Sequence, residues 1–205
     1  MAQEVHEAGG HTVSVDEMTG IQALERKYPD KPVMPGKTAC TEFEYIRHGT
    51  MSMVGFFDVA TGRMEKPYLN ATRTEDDFVE AVRALVETDP KASWTLICDG
   101  LNIHKSEGLV RFVAKQCDFK GELGRKEKRG ILKSQESRAE FLHQKDHRIR
   151  FIYTPKHCSW MNQIEIWFGI ISRRLLKRKS YSSLAELKAS ILRFIEQYNI
   201  TAKPF

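Results

Sequence analysis

The chain has 205 residues, a net charge of +5, and 41% hydrophobic against 29% charged residues, which are the proportions of a single globular domain large enough to bury a core. No apolar run approaches the roughly 18 residues of a membrane span, and the opening MAQEVHEAGG lacks the basic-then-apolar form of a signal peptide. Together these exclude a helical membrane protein and predict a cytoplasmic one with no membrane partner. Cys40, Cys98, Cys117 and Cys158 are scattered without a CxxC pair, so they read as reduced, structural thiols.

Residues 1–12 read as a linker remnant. Val13 to Val15, Glu42 to Ile46 and Met51 to Val59 then read as three strands. The second and third are separated by an HGT turn, which suits an antiparallel meander. Asp16 follows the first strand with Glu17 beside it, and strand alternation sends the two side chains to opposite faces. Glu17 is therefore expected to be exposed or to play a supporting part. Thr74 with Asp77 three residues on is a capping-box start for a helix carrying Phe78, Val82 and Leu85 on one face. Trp94 to Cys98 is a continuous apolar run, the pattern of a central strand covered on both sides, and it ends in Asp99. Asn102 and His104 fall in the loop that leaves it, where polar residues are either solvated or positioned to contact DNA or orient a ligand.

A helix is predicted over Ser106 to Cys117, followed by a basic window. Between Lys120 and Arg150 stand 10 Lys or Arg and 5 Asp or Glu, so this window alone carries the whole net charge. Its exposed-looking bases Arg125, Lys126, Lys128, Arg129 and Lys133 are either a solvated surface or a contact for a polyanion. GRKEKRG reads as loop and SQESRAEFL as helix. His143 and His147 have the i, i+4 spacing of zinc ligands, but the paired thiols of a zinc site are missing.

Arg148 to Tyr153 is the fifth predicted strand, ended by Pro155. Ser159 is placed to cap a helix with an apolar stripe of Trp160, Ile164, Trp167, Ile171 and Leu175. That spacing accounts for Trp160 as core packing in preference to a base-stacking platform. Glu165 rides the edge of the stripe as a buried acid, with Met161, Asn162, Phe168 and Gly169 one turn away, which leaves room for a ligand. Lys156 and His157 before the helix, and Asn162 within it, are candidates to bind phosphate or support a ligand. RRLLKRK, Arg173 to Lys179, places five bases where the helix dipole favours them. A capping box from Ser183 to Glu186 opens a last helix whose inner side is Leu187, Ile191, Phe194 and Ile195. The element order is α/β, with early strands paired antiparallel and later ones joined by parallel crossovers.

The words TP-x-H-x-SW-x-NQ-x-E, with LLKRKSYSSLAELKASILRFIEQYNITAKPF after them and VSVDEMTGIQALER, EFEYIRHGT and ICDGLNIHKS before, resemble the catalytic domain of bacterial insertion-sequence transposases of the mariner-like group. The resemblance implies a ribonuclease H-like five-stranded mixed sheet flanked by helices, spanning residues 13–205. A basic insertion at about 118–147 would separate the fourth and fifth strands, and the first and fourth strands would lie side by side. It also implies Asp16, Asp99 and Glu165 as an acidic triad; any one of these alone reads more simply as a turn or cap residue.

Such acids suit the reaction, because in-line displacement at a phosphodiester needs negative charge stabilised on both the entering and the leaving oxygen. Two Mg²⁺ or Mn²⁺ ions are expected, the first on Asp16 and Asp99 with Asp16 bridging, the second on Glu165. Without cations the three acids would repel and their pKa values rise. The implied partners are DNA, as element ends and target, and a second copy of the chain in an active homodimer. Gly100 and Gly169 stand where relatives more often show Asn and Ser, and no helix-turn-helix pattern precedes the first strand. A non-catalytic DNA-binding remnant and a structure-selective nuclease of the same fold therefore remain as alternative readings.

Overall fold

The computed structural model describes residues 2–40, 42–156 and 158–205. Strand alternation at the start of the sheet sets the architecture. In β1 (His11–Arg26), Val13 and Val15 are buried on one face while Ser14 and Asp16 are buried on the other. β2 (Tyr45–Asp58) pairs antiparallel with β1, and β3 (Tyr68–Asn70) pairs antiparallel with β2. β4 (Trp94–Cys98) lies parallel to β1, and β5 (Ile149–Tyr153) parallel to β4, giving the order β3-β2-β1-β4-β5.

Two sequence expectations about this sheet are corrected. Residues 45–58 form one strand, not two, because Gly49 is not a turn residue. With φ of 118° it sits in a register shift between the pairs Gln22↔Thr50 and Leu24↔Arg47, where β2 carries the extra residue of a bulge. A second shift between Met18 and Ile21 gives β1 its own bulge at Gly20, φ 68°. The sheet still has five strands because of the short β3, whose three residues are too few to show a period. At the start of the chain, Ala2–Glu7 form a helix, α1, where a linker was expected.

The first core lies between one face of the sheet and α2 (Glu75–Val86), α3 (Glu107–Gln116) and α4 (Gln135–His143), and includes Val15, Phe56, Phe78, Leu109, Val113, Phe141 and Phe151. Thr74 and Asp77 close the expected capping box of α2. The basic window is not a loose loop. Its Leu132, Phe141 and Leu142 belong to this core, while Arg125 and Arg129 pair across a tight turn.

The second core packs α5 (Ile164–Ile171) and α6 (Leu184–Ile200) on the other face, through Met53, Phe57, Trp167, Ile171, Ile191 and Ile195. Ser183 caps α6 by accepting the Glu186 N–H at 3.1 Å. The predicted helix around Glu165 is shorter than its apolar stripe. Ser159–Met161 form a separate 3-10 turn, Gln163 stands at the N-cap of α5, and Ser172–Leu176 relax into a π turn. The stripe is therefore interrupted at its first member, and Trp160 is 75% exposed instead of packed in the core. Among the described residues no helix is long and apolar enough to cross a membrane.

Candidate active site

Asp16 and Asp99 come together through strand register. Ser14 pairs with Ile97, so two residues further along each parallel strand both aspartates stand at one level, at the point where β4 stops and β1 runs on. Asp99 is fixed from the first-core side. Its Oδ1 accepts the Leu101 N–H at 3.0 Å and lies 2.8 Å from Nδ1 of His104. The other ring nitrogen, Nε2, is 2.9 Å from Oε1 of Glu17. His104 is 0% exposed and packs against the Phe78 ring at 4.5 Å. Burial opposes its charge, but hydrogen bonds to Asp99, Cys98 and Glu17 outweigh it and push the imidazole up to about 12. It is an imidazolium donating from both nitrogens.

This arrangement decides one expectation and corrects another. Of the two parts open to Glu17 it takes the supporting one: its side chain is 1% exposed, its Oε1 holds His104, and its Oε2 is buried without a hydrogen-bond partner among the described residues. The pKa of Asp99 does not rise, because although burial raises it, the His104 and Leu101 bonds bring it below the ordinary carboxylate value. His104 is thus neither solvated nor available to DNA. Tyr153 donates its hydroxyl to the His104 carbonyl at 2.9 Å and ties the loop to β5.

Asp16 points to the opposite face, toward α5. Burial raises it, the Glu17 N–H at 2.8 Å opposes that rise, and repulsion from Glu17, Asp99 and Glu165 adds to it, leaving it at about 6. Asn162 is fully buried and staples α5 to β1. It donates to the Val15 carbonyl at 2.8 Å, reaches Asp16 Oδ2 at 3.5 Å, and accepts the Ser14 hydroxyl. Ser14 Oγ in turn accepts the Ile164 N–H at 3.1 Å. Opposite Asp16 in the ladder lies Gly55, where an added Cβ would stand 2.7 Å from Ile164 Cδ1 and 3.0 Å from Phe168 Cε1. Its missing side chain is what lets α5 approach the sheet this closely.

Glu165 follows at once in the first turn of α5, but it is exposed, not buried as its apolar helix suggested. Asn102 and Lys156 are exposed nearby in the chain, and His157 lies outside the described residues. Gly100 has only the tip of Lys105 near it, with Nζ 3.4 Å from an added Cβ. Arg125, Lys126, Lys128, Arg129 and Lys133 are all exposed, and Arg129 pairs with Glu122 at 2.8 Å. Sequence reasoning missed Ser14 and Gly55. A hydroxyl inside an apolar strand and a glycine in a strand interior were the signals that could have found them.

The donor set is all carboxylate oxygen, which fits a hard divalent cation. The repulsion felt by Asp16 is what such a cation would relieve. Among the described residues, no three acid, histidine or cysteine side chains already close into a metal cage.

Residues 11–188 match the family described as DDE superfamily endonuclease. The chain is also similar to solved structures of the Mos1 mariner transposase. These include its strand transfer complex (TM-score 0.57, 10% identity, 99% of this chain and 54% of that one) and its paired-end complex with Mn (TM-score 0.56, 12% identity, 98% and 50%). The Mos1 catalytic domain alone gives a TM-score of 0.50 at 8% identity, covering 99% of this chain and 81% of that one. The chain therefore spans about half the length of the proteins in those two complexes. At these identities the likeness is one of fold, a ribonuclease H-like mixed sheet flanked by helices. No curated protein sequence matches significantly.

Proposed function

This chain belongs to the DDE superfamily endonuclease family, and on that premise we propose that it is the catalytic domain of a DNA transposase. It would cleave a strand at an element end and join the freed 3′-hydroxyl to target DNA. The observation that carries this reading is the meeting of Asp16 and Asp99 at one level of neighbouring parallel strands, with Glu165 in the first turn of α5, three residues past the Asn162 that reaches Asp16 at 3.5 Å. Asp16 and Asp99 would hold one Mg²⁺ or Mn²⁺ and Asp16 with Glu165 a second. Bound there, such ions supply charge stabilisation on the entering and leaving oxygens and lower the pKa of the attacking water or hydroxyl.

The remaining residues orient this set. His104 and the Leu101 N–H aim Asp99, and Asn162 with Ser14 sets the height of Glu165 above Asp16. Trp160, exposed five residues before Glu165, offers a face for an unstacked base. The bases Arg125, Lys126, Lys128, Arg129 and Lys133 give salt-sensitive, sequence-independent affinity for DNA. Two copies of the chain would act together, one on each element end.

The test is Mn²⁺-dependent nicking of supercoiled plasmid by the wild type, absent from Asp16→Asn and Glu165→Gln, followed by detection of a joined donor–target product. Nicking without joining would leave a nuclease. A wild type that neither nicks nor gains thermal stability from Mn²⁺ would leave a DNA-binding module.

A further inference from the structure

A cleft of about 520 Å³ begins two residues beyond Asp16, lined along β1 from Met18 to Arg26 and on the far side by Ser172, Leu176, Lys177 and Lys179. We infer that it seats the single DNA strand running on from the scissile phosphate, an inference that rests on the proposed reading of the acids.

Position is the first argument. β4 stops at Cys98 and its pairing with β1 ends at Ser14, so among the described residues no strand covers that edge of β1 past the aspartates. The other wall is the direct continuation of α5, with Ser172 two turns beyond Glu165 on the same side of the helix. At about 3.3 Å per strand residue, Met18 stands only about 7 Å beyond Asp16. The cleft therefore opens from the acids along the two elements that carry Asp16 and Glu165. Its far end is closed where the Tyr181 N–H bonds the Leu24 carbonyl and the Arg26 N–H bonds Ser180 Oγ, each at 2.9 Å.

Chemistry is the second argument. The lining holds Arg26, Lys177 and Lys179 and no carboxylate. Lys177 and Lys179 are exposed. Arg26 pairs through Nη1 with Asp30 at 2.6 Å, while its Nε is buried without a hydrogen-bond partner among the described residues. Between the cations lie apolar surfaces, Met18, Leu24 and Leu176, and the ring of Tyr45, a residue 44% exposed. Cations for the backbone and an aromatic face for a base are the two components of single-strand binding sites. Gly20, at φ 68° with nothing within 4 Å of an added Cβ, leaves the strand backbone open to close approach. The basic run Arg173 to Lys179 thereby gains a use beyond its fit to the helix dipole.

The experiment measures binding of a fluorescent single-stranded oligonucleotide in EDTA over a salt series. It compares the wild type with Lys177→Glu/Lys179→Glu and with Lys126→Glu/Lys128→Glu, which make the same change of charge. The cleft pair should bind at least ten-fold more weakly and lose more than the window pair. Its log affinity–log salt slope should be shallower by about 1.4, two single-strand phosphate contacts. Tyr45→Ala should weaken binding several-fold. Should the Glu pair melt below the wild type, Lys177→Gln/Lys179→Gln replaces it. Unchanged affinity and slope, or equal losses in cleft and window, overturn the inference. Because binding is read without metal, a wild type that binds through the cleft but never nicks leaves the cleft standing and removes the catalytic reading. A wild type that nicks while the cleft variants bind normally removes the cleft alone.

Discussion

Asp99 and Glu165 are held in opposite ways. Asp99 is clamped from within by a fully buried imidazolium that also holds one oxygen of Glu17, three charged groups from β1, the end of β4 and a 3-10 turn locked in one network. Glu165 stands exposed on an eight-residue helix and owes its place to the staple of Ser14 and Asn162 beneath it. One half of the candidate site is thus made with the core, while the other is placed upon it. Folding stability and catalytic competence should therefore separate between the two halves.

The largest effect should come from breaking the clamp. His104→Ala leaves Glu17 buried and uncompensated and should cost about 3–5 kcal/mol in urea unfolding, with part recovered by adding Glu17→Gln. The same clamp predicts a pH dependence in EDTA. A histidine whose folded pKa is raised to about 12 contributes in full below its unfolded value of about 6.5, and that contribution is lost as pH rises toward the folded value. Stability should therefore fall between pH 7 and 9 with the slope of about one proton, and His104→Gln should remove that slope.

The staple comes next. Asn162→Ala strands the Val15 carbonyl and the Ser14 hydroxyl and should cost about 1–3 kcal/mol. Gly55→Ala, forcing Ile164 and Phe168 outward, should cost a similar amount. Both should depress Mn²⁺-dependent nicking by more than their stability loss explains, and normal nicking in either would break the contrast between the halves. Smaller still, Glu165→Gln should unfold within about 0.5 kcal/mol of the wild type while abolishing nicking. The residue chemistry needs most would then be among those folding needs least.

Trp160→Ala should leave stability unchanged. Trp94 and Trp167 are 1% and 0% exposed, so quenching of fluorescence by single-stranded DNA should be lost with Trp160 alone. Quenching that persists in this variant would remove Trp160 from the DNA path.

Much of this was legible along the chain. The capping box at Thr74, the buried strand leading to Asp99 and the helix of the basic window follow from local spacing, and strand alternation correctly separated Asp16 from Glu17. The errors have physical sources. Gly49 reads as a turn because a bulge and a turn both call for a glycine of positive φ. The burial expected of Trp160 and Glu165 follows from a periodicity that assumes one helix, where a 3-10 turn intervenes.

Local chemistry in the sequence determined the α/β order and the sites of the helix caps, because periodicity and capping depend on residues a few positions apart. Motif order, by resemblance, named the three acids. Only the tertiary structure decided that Glu17 and Asp99 share a buried imidazolium, that Asn162 rides on Ser14, and that Gly55 admits the helix bearing Glu165. The contacts of Glu17 with His104 and of Asn162 with Ser14 join residues 87 and 148 positions apart, and no local pattern encodes which remote group will satisfy a buried charge or fill the space left by a missing side chain.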